Sequence, residues 1–255
     1  MGISPVNKPL LRANSCGETA SVRAWFDIGA HHRDVILTCQ SNSIAAAPLT
    51  IENRWLYLER HMQLVLASSS LYRRELLQRL GQPFEVDAPD VDETHVAGES
   101  GEQLVRRLAE AKARAVAPRH QNALIVGSDQ VAVFDSAILT KPGTTERAIE
   151  QLTMMRGATA HFLTGICLIN TRTERSQVAV ERYAVTFRTL SDPAIAAYVE
   201  RERPLDCAGA FKSEGLGIAL FESMDGTDPT TLVGLPLIRL TTMLAAEGFD
   251  VLRPR

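Results

Sequence analysis

Three short stretches of the chain carry side chains suited to phosphate chemistry. Ser68-Ser69-Ser70 runs directly into a predicted helix whose first turn holds Arg73 and Arg74. Cations there oppose the helix macrodipole, which prefers anions at that end. Either both arginines point into solvent, or free backbone N–H groups, hydroxyls and two guanidinium forks together cradle a phosphate. The convergence of so many donors favours the cradle. The second stretch, Gly127-Ser128-Asp129-Gln130, follows the fully apolar Leu124-Ile125-Val126. Ligand groups in α/β folds gather at the carboxyl ends of such strands. A carboxylate placed there loses hydration unless it meets a metal or a proton-transfer task. Gly-Ser-Asp is also ordinary turn chemistry, and position alone leaves the two readings level. The third stretch is Asp90-Val91-Asp92-Glu93-Thr94. Its hard oxygens suit Mg²⁺ or Mn²⁺ when substrate phosphates complete the shell, although most acidic loops are merely solvated. Lys141-Pro142 and the glycine-rich segment Cys207 to Gly217 add Lys141, Lys212 and Glu214. Alone, each lysine reads as a surface residue. His95, His120 and His161 form no cluster and are assigned nothing.

The elements that must position these groups alternate from residue 62 onward. Leu64 to Ala67 reads as a buried strand, followed by a helix from Tyr72 to Leu80 with Gly81 after its end. Phe84 to Val86 is a short second strand. Ser100-Gly-Glu-Gln103 is a capping box that opens a helix with Leu104, Leu108, Ala111 and Ala115 on one face. Leu124 to Val126 reads as a central strand, and Val131 to Phe134 continues in extended form. Thr144 or Thr145 caps a helix reaching about Met155. Phe162 to Ile169 and Val178 to Phe187 form a strand pair, Asp192-Pro193 starts another helix, and Pro236 starts the last, which stops at Gly248. Strands alternating with helices give an α/β fold.

The first 61 residues lack this order. Both tryptophans, the pair His31-His32 and turn-type runs such as Asn14 to Gly17 lie there, with no sustained apolar period. They match neither a secretory signal nor a myristoylation site. Met62 stands just before the first clean strand. The expectation is therefore an N-terminal extension over 1–61, poorly ordered or a mis-assigned start, and a functional domain over 62–255. The other reading of 1–61 is a small accessory subdomain.

Composition excludes several classes. The 255 residues carry 27 Lys and Arg against 30 Asp and Glu, a net charge of −3, which argues against broad capture of nucleic acid or anionic membrane. Apolar residues at 45% and charged residues at 22% are ordinary for a globular protein. No apolar run reaches the roughly 18 residues of a membrane span. The four cysteines are scattered, with no CxxC pair, which excludes a disulfide scaffold and points to a reduced, intracellular setting.

Taken in order, the segments Ser68 to Arg74, Asp92-Glu93, Gly127 to Val131, Lys141-Pro142, Thr164-Gly165, Phe211 to Gly215 and Val233 to Pro236 resemble the Maf-like nucleotide pyrophosphatases. The resemblance covers residue 63 to about 252. It implies a two-lobed α/β fold with a mixed central sheet around a substrate cleft. It also implies a cytoplasmic, metal-dependent hydrolase, often dimeric, that cuts a nucleoside triphosphate to the monophosphate and pyrophosphate. By that resemblance Ser68, Arg73, Lys141 and Lys212 hold the triphosphate, Glu93 and Asp129 hold a divalent metal, and Asp129 is the catalytic carboxylate. The chain is similar to the branch acting on 7-methyl-GTP, through an aromatic before the arginines (Tyr72), Gln after the Asp (Gln130) and Glu in Lys-Ser-Glu-Gly (Glu214). The dTTP and UTP branch typically has Thr at the position of Gln130. Leu71 departs from the usual Pro, and Tyr72 from the usual Trp. A nucleotide-binding regulator of cell division that turns over nothing is the rival reading. It would need the arginines but not Asp129 and Glu93 together.

Overall fold

Alternating apolar and polar residues build two strands near the N-terminus, β1 (Thr19–Ile28) and β2 (His31–Gln40), in a computed structural model that describes residues 19–28, 31–40 and 62–253. They pair antiparallel with Val22 opposite Leu37 and Ala24 opposite Val35. Ala20, Val22, Ala24, Phe26 and Ile28 form a period-two set that the irregular flanks of this region obscure in the sequence. The run Asn14 to Gly17 and Trp55 lie outside the described residues. The chain divides into two units, one holding this strand pair and the other holding residues 62–253.

The second unit is the α/β fold expected. Its elements are β3 (Gln63–Ala67), α1 (Leu71–Gln78), β4 (Glu85–Val86), α2 (Gly101–Val116), β5 (Ala123–Phe134), β6 (Ala137–Leu139), α3 (Thr145–Met155), β7 (Thr159–Asn170), β8 (Arg175–Phe187), α4 (Asp192–Glu202), β9 (Phe221–Asp225) and α5 (Leu237–Ala246). The strands form one seven-stranded sheet in the order β4-β3-β5-β7-β8-β9, with β6 on β5. Pairing is parallel across β4, β3 and β5, and antiparallel elsewhere, so the sheet is mixed.

Helix starts fall where the capping residues put them. Ser100 and Gln103 exchange both capping-box hydrogen bonds at the start of α2. Thr144 Oγ1 accepts from the backbone N–H of Arg147 at 3.3 Å. The buried stripe of α2 differs from the expected one. It runs through Leu104, Val105, Leu108, Ala109, Lys112, Ala113 and Val116, while Ala111 and Ala115 are only half-buried. The cause lies in the sheet: Gly127 and Gly165 have no side chains, and α2 settles onto them so closely that a broader face is covered. A Cβ on Gly127 would stand 2.2 Å from the carbonyl oxygen of Ala109, and one on Gly165 2.1 Å from that of Val105.

β5 is one continuous strand, not two extended pieces joined by a turn. Gly127-Ser-Asp-Gln130 therefore sits mid-strand, paired with β7 so that Asp129 faces Gly165 and Gln130 faces Thr164. On its other side β3 ends at Ala67, opposite Gly127. Beyond that point, among the described residues, positions 128–131 of β5 have no strand on the β3 side, and the Ser68–Ser70 turn follows there.

Strand alternation then explains where the core stops. On one face of β5, Leu124 and Val126 join a cluster with Leu64, Leu76, Ile166, Leu240 and Leu244. Further along the same face, Ala132 joins a second cluster with Phe162, Phe187, Phe211 and Phe221, whose rings meet edge-on. Ser128 and Gln130 fall between the two. The result is a polar strip separating two apolar lobes. No helix of the described residues is long and apolar enough to cross a membrane.

Candidate active site

The opposite face of β5 presents Asp129 toward α2. Lys112 Nζ donates to Asp129 Oδ1 at 2.7 Å and lies 2.8 Å from Glu93 Oε1. The Lys112 and Asp129 side chains are 7% and 10% exposed, whereas Glu93 is 59% exposed. An ion pair this well covered is costly to desolvate and persists because each charge is matched. Glu93 comes from the irregular segment between β4 and α2, so three elements meet at one ammonium. Lys112 was not singled out from the sequence. The signal was present, since a lysine continues the four-residue spacing Leu104, Leu108 into the core face, where lysine is rarely buried unpaired.

Arg73 closes the site from α1. Its Nε donates to the carbonyl of Gly234 at 2.9 Å, and its Nη1 lies 3.5 Å from Ser68 Oγ. Burial lowers the Arg73 pKa, and the nearby Asp129 and Glu93 carboxylates oppose that shift. The guanidinium remains a cation. The same Gly234 carbonyl accepts from Ser128 Oγ at 2.9 Å, which ties β5 to the Val233-to-Pro236 segment. Ser70 caps α1, its Oγ accepting from the Arg73 backbone N–H at 3.4 Å. Arg74 is exposed and borders a separate shallow cavity with Gln78, Gln82 and Phe84.

Gln130 lies on the polar strip. Its Nε2 donates to Thr231 O at 2.7 Å, with Leu232 O and Thr164 Oγ1 each at 3.1 Å. Its amide nitrogen is thus committed to the protein, and Oε1 is the atom turned toward Gly234. Tyr72 is half-buried, with Cys207 Sγ 4.0 Å from its hydroxyl. Burial, followed by the negative fields of Cys207, Asp206 and Glu214, raises the Tyr72 pKa. That coupling places Tyr72 and Glu214 in one electrostatic neighbourhood. Burial pushes the Cys207 thiol up to about 12, so it is an inert thiol and not a nucleophile.

The structure brings together Ser68, Arg73, Glu93 and Asp129. It does not gather the two lysines there. Lys212 Nζ donates to the carbonyl of Glu202 at 3.0 Å. Lys141 is exposed and lines a different surface cavity with Ile138, Arg147 and Met154.

A divalent cation fits the donor set. One oxygen each of Asp129 and Glu93 meets the same Lys112 Nζ, so two hard carboxylate donors converge where a divalent cation would compete with the ammonium. Two carboxylates leave most of a Mg²⁺ or Mn²⁺ shell to water and phosphate oxygens, as is usual where the substrate is a nucleotide. Among the described residues no group of three or more His, Cys, Asp or Glu is arranged to hold a metal.

Comparison with known proteins places the chain in a family. Residues 63–247 match the family described as Maf-like protein. The chain belongs to that family. The Maf-like region is 58% identical over 188 residues to the 7-methyl-GTP pyrophosphatase of Pseudomonas aeruginosa, covering 74% of this chain and 98% of that protein. It is 56% identical over 189 residues to the protein of the same name from Nitrosococcus oceani, covering 74% and 95%. Against that of Pseudoalteromonas translucida it is 49% identical over 189 residues, covering 74% and 94%. The Maf-like match starts at Gln63, the first residue of β3.

Proposed function

We propose that this Maf-like chain hydrolyses 7-methyl-GTP to 7-methyl-GMP and pyrophosphate. The observation that carries the reading is the Glu93–Lys112–Asp129 cluster beside Arg73, in a chain so similar to proteins bearing that name. Water attacks the α-phosphorus, and Asp129 accepts its proton. Lys112 fixes the Asp129 carboxylate in place, and Arg73 with Ser68 holds phosphate oxygens at the start of α1. Glu93 and Asp129 hold a divalent metal, which when bound neutralises negative charge on the phosphates. Lys141 and Lys212 reach the outer phosphates only if their segments close on the nucleotide. Tyr72 and Glu214 recognise the cationic base.

The test is pyrophosphate release across a panel of 7-methyl-GTP, GTP, dTTP and UTP, with and without Mg²⁺ or Mn²⁺. Highest kcat/KM on 7-methyl-GTP supports the reading. Preference for dTTP or UTP would move the chain to the other branch, and binding without turnover would favour a regulator. Residues 62–255 are proposed as the catalytic unit, so a chain beginning at Met62 should keep full activity.

A further inference from the structure

Glu93 reaches the site from a segment with no regular structure, residues 87–100, and over half of its side chain is exposed. Its one polar contact among the described residues is the ion pair with Lys112. Something else must hold this stretch of backbone in register. Its N-terminal end is fixed by Asp87, which accepts two hydrogen bonds from Arg119 at 2.8 Å and one from His120 at 2.9 Å. Beyond Asp87, Arg119 Nη2 also donates to the carbonyl of Ala88 at 3.3 Å. Nearer Glu93 the hydrogen bonds to the rest of the fold come from one side chain of α2. Arg107 of α2 donates Nη2 to the carbonyl of Thr94 at 3.1 Å, the residue directly after Glu93. The same guanidinium grips Glu99 with Nε and Nη2 at 2.7 and 2.8 Å. Glu99 in turn accepts from the Val96 backbone N–H at 3.2 Å, and its carbonyl accepts from His95 Nε2 at 2.7 Å. Residues 94–99 are thus a small knot closed around one planar cation.

We propose that Arg107 is the positioning residue for Glu93, a role that rests on the pyrophosphatase reading above. Arg107 and Lys112 lie on the same helix, so the arginine registers the Glu93 segment against the very element that presents the ammonium between Glu93 and Asp129. A guanidinium is suited to this because its fork satisfies a carboxylate bidentately and still donates to a carbonyl. Lysine, a single donor point, can keep only part of the arrangement.

The test is a double-mutant cycle on kcat/KM for 7-methyl-GTP in the full chain, using Arg107→Ala, Arg107→Lys, Glu93→Gln and the Arg107→Ala/Glu93→Gln pair. Amide hydrogen exchange over residues 92–99 is followed in parallel. Arg107→Ala is expected to lower kcat/KM about 10–100-fold, as loss of an outer-shell partner does. Arg107→Lys should fall between it and the unaltered chain. In the Glu93→Gln background, Arg107→Ala should cost less than about twofold, because the group it positions is already gone. Exchange should rise over 92–99 while β5 stays protected. An equal loss in both backgrounds, or faster exchange spread through α2 and β5, would make Arg107 a general support and overturn the proposal. Full activity in Glu93→Gln would overturn it as well, with the pyrophosphatase reading intact. An unaltered chain that releases no pyrophosphate from 7-methyl-GTP would remove the reading itself.

Discussion

Arg73 Nε and the carbonyl oxygen of Gly234 meet at 2.9 Å across 161 residues of chain. This bond joins the start of α1 to the segment before α5, and Ser128 of β5 donates to the same oxygen. The guanidinium proposed to hold the phosphates is therefore aimed by a backbone group from the far end of the domain. Gly234 adopts a φ of +112°, and a Cβ there would stand 3.4 Å from Arg73 Nε. Gly234→Ala is expected to cost about 1–3 kcal/mol of stability through backbone strain. It should also raise KM for the nucleotide more than it lowers kcat. Denaturant midpoints and steady-state kinetics on one preparation separate the two effects.

Asp129→Asn should lower kcat by a factor of about 10²–10⁴, the usual loss when a positioned general base is removed. The variant keeps its shape but leaves buried Lys112 with Glu93 as its sole carboxylate partner. Melting temperature should therefore fall too, and Lys112→Met in the same background should restore part of it. Turnover near that of the unaltered chain would falsify the assignment.

Base preference should follow Tyr72 and Glu214. A 7-methylated guanine is cationic, and an aromatic face gives it about 0.5–2 kcal/mol that guanine cannot gain. A carboxylate favours the same charge and accepts from the base N–H groups. Tyr72→Ala and Glu214→Ala should each lower the 7-methyl-GTP to GTP ratio of kcat/KM. A constant ratio with both rates reduced would locate selectivity elsewhere, the Gln130 Oε1 being the next atom to examine.

Acid should weaken the Arg107–Glu99 contact only far below neutrality. Hydrogen bonding from Arg107 holds Glu99 down at about 2 from an ordinary 4.5. A carboxylate depressed in the folded state contributes stability above its unfolded pKa and loses it as pH falls toward the folded value. The gap in melting temperature between the unaltered chain and Glu99→Gln should be widest at pH 5–7. It should narrow steadily from about pH 4.5 down to about pH 2.

Much of this site is legible in the chain because its donors sit at element ends with local signatures. Ser100 and Gln103, Thr144, Pro193 and Pro236 each mark a helix start by side-chain chemistry alone, and the helices begin there. Asp129 was harder to place. Gly127-Ser128 looks like a turn, yet the glycine is there to admit α2, and that reason exists only once the helix is packed. Lys112 escaped notice for a related cause: its partners, Asp129 and Glu93, are 17 and 19 positions away and come from different elements. Gln130 reads as a base-recognising amide, but its nitrogen is taken up by Thr231 and Leu232 carbonyls that no local pattern links to it.

The two glycines under α2 also determine what kind of damage the enzyme can suffer. With the helix backbone lying directly on β5 and β7, the spacing between Lys112 and Asp129 follows from helix height above the sheet, not from either side chain. A single methyl on Gly165 must lift the helix at Val105, one heptad before Lys112, and the ammonium rises with it. Such a change deletes no reactive atom, and its cost falls on the packing of Val105, Leu108 and Ala109 against the sheet. Every group proposed for catalysis would still be present with the distances between them wrong, a lesion invisible to any inventory of functional residues.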